Sequence, residues 1–173
     1  DNKINQKGQR IFYTYTAIPQ SIGADSIPYI TIMQVNKVLT KEPVFVEDND
    51  AKDYGTDPIE ISGQSISKAH LNLRYTFLNG GNHLIPHSIS LLIAKDAQPD
   101  ARGYLSAELR HDAADDLQLN ANSGYVSFTL ENMPGFKEGT LKGFKIKTKT
   151  IKNETDIVEV TMNNNRKSMN FNI

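Results

Sequence analysis

Glu108, Arg110, His111, Asp112, Asp115 and Asp116 are the densest group of chemically capable side chains in this sequence. A histidine beside carboxylates can act as a general base or a metal ligand. Asp112 and Asp115 could face one cation if their loop curls. The competing reading is structural: Arg110 pairs with the aspartates at a strand end, and Asp112 or Asp115 caps a short helical turn. No nucleophile, second histidine or glycine loop accompanies the group, which favours structure over catalysis.

Three weaker constellations stand beside it. His83 and His87 have the spacing of a helical zinc pair, but Pro86 lies between them and the flanks read as turn and strand. In an extended chain residues four apart are separated by about 13 Å, too far to share a metal. His70 could join them only through tertiary folding. Asp48 to Gly55 loosely resembles a calcium loop, but the ligand alternation breaks at Ala51-Lys52 and no glutamate stands at the twelfth position. Tyr13 and Tyr15 share one face of a strand, opposite Phe12, with Tyr29 further along the chain. Facing outward they would be a stacking platform for sugars or single strands; facing inward they are core, and core is the expectation. The candidate binding residues are therefore Tyr13, Tyr15, Arg74, Glu108, Arg110, His111 and Asp112, with no catalytic residue, metal site or cofactor assigned. Nucleophile-elbow, phosphate-loop and dinucleotide fingerprints are absent.

The elements that would position these residues are strands. Ala69 to Leu78 places Leu71, Leu73, Tyr75 and Phe77 on one face and Asn72, Arg74 and Thr76 on the other. Tyr104 to His111 alternates in the same way, and Ser88 to Ala94 is continuously apolar. Further strands are expected at 10–18, 27–39, 43–47, 58–61, 124–130, 141–151, 156–161 and 168–173. The period of two slips after Met33, which signals a bulge. Turn signals recur about every ten residues and no long 3.6-residue period appears, so the fold class is all-β, a sandwich or a barrel. The run EDNDAKDYGTDP, Glu47 to Pro58, has the composition of a linker.

Composition sets outer bounds. The 173 residues suffice for one ordinary domain or two small ones. A net charge of -1 offers no general attraction to nucleic acid or to an anionic membrane. Lys145, Lys147 and Lys149 fall on one face of a strand, where a solvated face blunting a sheet edge is favoured over a nucleic-acid contact. The absence of cysteine excludes thiolate chemistry and cysteine-based zinc sites. The sequence begins at Asp1, as a trimmed chain does, and no apolar run approaches the roughly 18 residues of a membrane helix.

At LTKEPVFVEDND, GTDPI, AHLNLRYTF, HSISLLIAKD, AELRHDAADD and GYVSFTL the sequence resembles the NigD-like family, small lipoproteins of anaerobic oral and gut bacteria named after a neighbour of a bacteriocin gene. The similarity runs from about Phe12 to Phe171, and its sharpest pieces are Leu71 to Tyr75 and Leu109 to Ala113 with Asp115 and Asp116. The resemblance implies an N-terminal OB-like barrel and a C-terminal β-sandwich, placed here at 1–53 and 54–173. It implies a lipid-anchored, extracytoplasmic protein, at the outer membrane or in the periplasm, with membrane contact only through an anchor outside this chain. It carries no catalytic residues. The function expected is a non-enzymatic binding or accessory module of the cell envelope, with bacteriocin immunity as a special case. Its partner would be an envelope protein or a glycan, with no nucleic acid expected and the oligomeric state open. The alternatives are a hydrolase or metal-dependent enzyme centred on His111, and a purely structural envelope component.

Overall fold

A computed structural model describes residues 10–22, 28–47, 51–82 and 84–162. His83, Asp48 to Asp50 and the strand expected at 168–173 lie outside the described residues. The chain divides into two units, Asp1–Thr40 and Lys41–Ile173.

The described part of the first unit is an antiparallel ribbon of β1 (Ile11–Ile22) and β2 (Pro28–Lys37). Thr14 faces Gln34 and Tyr15 faces Ile32, so Met33 is the extra residue of a bulge, where the period of two slipped. The described strands of this ribbon make one pairing and do not close, so the OB-like barrel is not seen among the described residues.

The division falls within β3 (Leu39–Lys41). Then come β4 (Val44–Val46), a 3-10 turn (Ala51–Tyr54), β5 (Ile59–Ser67), β6 (His70–Asn79), β7 (Ser88–Ala94), β8 (Tyr104–Asp112), β9 (Asn120–Thr129), β10 (Gly143–Lys149) and β11 (Thr155–Thr161). One sheet has the order β11-β10-β8-β7-β4 and the other β3-β9-β6-β5. The pairs β4–β7 and β8–β10 are parallel; β5–β6, β6–β9, β7–β8 and β10–β11 are antiparallel.

The sheets bury their alternating residues against each other, as a β-sandwich does. Leu71, Leu73, Tyr75, Val126 and Phe128 come from one sheet. Ile89, Leu91, Ile93, Leu105, Leu109, Phe144 and Ile146 come from the other. The continuous apolar run in β7 has a second cause. Leu92 points to the opposite face and is buried there too, in a shallow groove that Val46 and Ala51 also line.

The polar run from Glu47 to Pro58 lies inside the second unit, and the division comes earlier than the expected 53/54 boundary. The pairing of Val44 with Leu92 and Val46 with Ala94 explains this, because the chain has joined the sandwich before the polar run begins. Its described residues 51–58 form a strap that leads into β5 of the other sheet. β10 also corrects an expectation. Lys145, Lys147 and Lys149 do alternate with buried Phe144, Ile146 and Thr148, but β10 lies between β11 and β8 and has no free edge to blunt.

Candidate functional site

Alternation in β8 splits the Glu108–Asp116 group. Leu105, Ala107, Leu109 and His111 turn inward, while Glu108, Arg110 and Asp112 turn outward. His111 is only 1% exposed. Its Nδ1 lies 3.0 Å from the Pro58 carbonyl oxygen, its Nε2 lies 2.9 Å from His87 Nδ1, and His87 Nε2 lies 3.1 Å from Asp116 Oδ2. Asp116 Oδ2 also accepts the Gly80 N–H at 2.8 Å, and Oδ1 accepts the Leu117 N–H at 2.9 Å. The Phe77 ring meets both imidazoles edge-on, with centroids 5.1 Å and 5.4 Å away.

Donor and acceptor roles along this chain follow from its ends. A carbonyl only accepts, so His111 Nδ1 carries hydrogen. Burial opposes a charged His111 and lowers its pKa, with the Pro58 carbonyl acting in the other direction. His111 is therefore neutral, and its Nε2 accepts from His87 Nδ1. Asp116 is held as a carboxylate, its pKa lowered first by the Gly80 N–H and then by His87 and the Leu117 N–H, against desolvation. Nothing is then left over on His111 to abstract a proton or bind a metal.

The strap is stitched to the same place. Asp57 N–H donates to the His111 carbonyl at 3.0 Å. Asp57 Oδ2 accepts the Ala113 N–H at 2.8 Å, and Oδ1 accepts from Gln118 at 3.0 Å. Asp112 Oδ1 accepts the Ala114 N–H at 2.8 Å, closing a turn two residues long rather than capping a helix.

On the outer face Arg110 Nε lies 3.1 Å from Glu108 Oε1, Lys147 lies 3.4 Å from the same oxygen, and Arg110 Nη1 donates to the Gly55 carbonyl at 3.2 Å. Lys145 pairs with Asp100 at 2.6 Å. That contact, with the Tyr104 N–H, lowers the Asp100 pKa to about 2. Lys149 donates to the Thr56 carbonyl at 3.0 Å. Each lysine of the stripe thus has an acceptor, a carboxylate for Lys145 and Lys147 and a carbonyl for Lys149.

The remaining candidates lie elsewhere. Arg74 is on β6, in the other sheet, with its guanidinium carbon 6.0 Å from the Tyr125 ring centre. Tyr13 and Tyr15 stand side by side in the first unit, 5.9 Å apart and 43% and 56% exposed. The expectation that they are core is not met among the described residues. His87, Asp57 and Phe77 were missed as site residues, because each reaches His111 from another strand or loop, and only the folded chain brings them together. Among the described residues no group of three histidine or acidic side chains could hold a metal ion. Nor is any helix there long and apolar enough to cross a membrane.

Comparison with known proteins decides the family. The model of the NigD-like C-terminal beta sandwich domain matches residues 42–162. The chain belongs to this family. The matched residues coincide closely with the second unit, the sandwich itself. The NigD-like chain is also similar to solved structures of three bacterial proteins. One is a protein of unknown function from Bacteroides vulgatus: 20% identity, 95% of this chain and 76% of that one, TM-score 0.75. A second, from Parabacteroides distasonis, has a name that relates it to toxins: 27% identity, 91% and 75% coverage, TM-score 0.68. A third is a NigD-like immunity protein from Bacteroides caccae: 16% identity, 87% and 71% coverage, TM-score 0.63. No curated protein matches the chain at a significant level.

Proposed function

We propose that this NigD-like protein is a non-enzymatic binding or accessory module of the cell envelope, lipid-anchored outside the cytoplasm, with bacteriocin immunity as its specific form. The observation that carries the reading is the state of His111. The strongest chemical candidate in the chain is buried, with both ring nitrogens engaged by Pro58 and His87. A hydrolase centred on His111 would need a free ring nitrogen facing a substrate, and neighbouring acids converging on it. Glu108, Arg110 and Asp112 instead point to the other face of the sheet. The immunity protein and the toxin-related protein among its structural neighbours support the specific form.

The test is expression of the protein, exported to the envelope, in a bacteriocin-sensitive strain. The expected result is survival at bacteriocin doses that kill the parent strain. Unchanged killing would contradict the immunity reading.

A further inference from the structure

Two loop segments, one with residues 80–82 and 84–87 and the other with 113–119, lie side by side at one end of the sandwich. One carboxylate ties them together, since Asp116 from the second loop accepts from Gly80 and His87 of the first. The Leu119 N–H donates to the Asn79 carbonyl at 3.1 Å and adds a second tie. Asp116 and His87 turn inward, while leucines of the same two loops turn outward: Leu84 is 90% exposed, Leu117 65% and Leu119 70%. Three such side chains on two adjoining, fixed loops are unusual for a surface that meets only water. Ala114 and Asp115 hold the left-handed backbone conformation just before them, with φ of 50° and 60°, where side chains are disfavoured. That pair turns the chain back so that Asp116 enters the structure and Leu117 leaves it.

The formally charged side chains within these two segments are all acidic. Residues 79–88 and 112–120 contain Asp112, Asp115 and Asp116 and no lysine or arginine. An anionic bilayer would be repelled by such a tip, which lacks the basic residues that draw surface-binding segments to lipid. Two copies meeting tip to tip would oppose their own aspartates. A ligand with apolar side chains flanked by cations fits both features.

We propose that this tip docks a cationic amphipathic polypeptide, with its apolar side chains against Leu84, Leu117 and Leu119 and its cations beside Asp112 and Asp115. The proposal rests on the reading of the protein as a binding module and names the class of its partner. The site is prepared before binding, because the Asp116 ties fix both loops in the free protein.

The experiment uses the purified full chain, so its outcome is independent of protection in cells. Binding is measured by calorimetry to an amphipathic model peptide of leucine and lysine, and to the same peptide with glutamate for lysine. Phosphatidylglycerol vesicles and sedimentation velocity of the protein alone report lipid binding and self-association. The expected result is saturable binding of the leucine-lysine peptide only. It should be weakened at least tenfold by the combined Leu84→Ser, Leu117→Ser and Leu119→Ser variant at unchanged melting temperature. Asp115→Asn should weaken it severalfold, less so at high salt. Leu84→Ser alone, at the most exposed of the three, serves as the second variant should the triple fail to fold, and should weaken binding measurably. The proposal is overturned by absence of binding, by equal binding of wild type and folded leucine variants, or by equal binding of both peptides. It is equally overturned if the leucines support binding to vesicles or to a second copy in place of the peptide.

Discussion

Replacing His111 with alanine is expected to destabilise the protein by about 2–4 kcal/mol, the range for deleting a large buried side chain together with its hydrogen bonds. For a chain of this length that is a fall in Tm of roughly 5–15 °C. The loss has three sources. The ring vacates space against Phe77, whose centroid lies 5.4 Å away. The Pro58 carbonyl loses its donor, in a residue that is itself buried. His87 Nδ1 loses its acceptor, 2.9 Å away. His111→Gln keeps a donor and an acceptor and should recover part of the loss. Equilibrium denaturation of the three proteins measures the differences. A change below about 0.5 kcal/mol is typical of an unconstrained surface site, and that result would mean the chain of bonds is not closed in solution.

Gly55→Ala is expected to cost about 2–4 kcal/mol, through backbone strain and the loss of several bonds at once. Gly55 has φ +73°, in the left-handed region, and a Cβ there would lie 2.4 Å from the His111 carbonyl oxygen and 2.6 Å from Asp112 Cα. Both are backbone atoms, so no flexible side chain can give way. The strap would have to lift from β8, and the bonds from Asp57 to His111, from Arg110 to Gly55 and from Ala113 to Asp57 would stretch together. Amide hydrogen exchange should localise the effect, with faster exchange at Asp57 and Ala113 and little change at the Leu71 and Phe128 core positions. Unchanged exchange at Asp57 with unchanged stability would show that the strap is not fastened there.

The strands that face the core were legible because one side of each is buried and the other is not. β6 and β8 alternate cleanly, and the bulge at Met33 appeared as a break in that period. Strands without apolar alternation were not legible. The second half of β5, Gly63 to Ser67, reads as a polar turn but continues as a strand past a register shift at Ile61/Gly63, paired along β6. The first half of β9, Asn120 to Ser123, is wholly exposed and carries no hydrophobic signal, yet it pairs with Thr76 to Asn79 of β6. In both, partner strands far away in sequence decide the outcome.

The site was legible in half. The weight given to structure over catalysis at His111 rested on the lack of a nucleophile nearby, whereas the burial of the ring and its bonds to Pro58 and His87 come from the fold. The partition of the group between two faces also follows from the period of β8. His87 was read with His83, four residues away, whereas its ring partner is His111, across the β7–β8 pair. The strap was read as a boundary because acids, Gly and Pro mark loops of every kind; its Gly55 and Asp57 have meaning only where they meet β8.

Acid should weaken this assembly. His111 has a lowered pKa in the folded protein, whereas in the unfolded chain it titrates near the ordinary value of about 6.5. The unfolded state therefore binds a proton that the folded state refuses, and stability falls as pH drops through that value toward the folded pKa. Asp116, lowered below the ordinary carboxylate range, acts in the same direction further down. Its contribution is complete above the unfolded carboxylate value and is lost as pH falls through the folded one.

The central claim is that His111 is a neutral, fully bonded part of the fold and not a group free for chemistry. Nitrogen-15 NMR of the histidine side chains across a pH titration tests it most directly. The expected spectrum has His111 in one tautomer, hydrogen on Nδ1 and an accepting Nε2, and it stays neutral as the pH is lowered past 6.5, where an unperturbed histidine would gain its charge. A His111 that exchanges between tautomers and charges near that ordinary value would contradict the claim, and would return the side chain to the list of candidate catalysts.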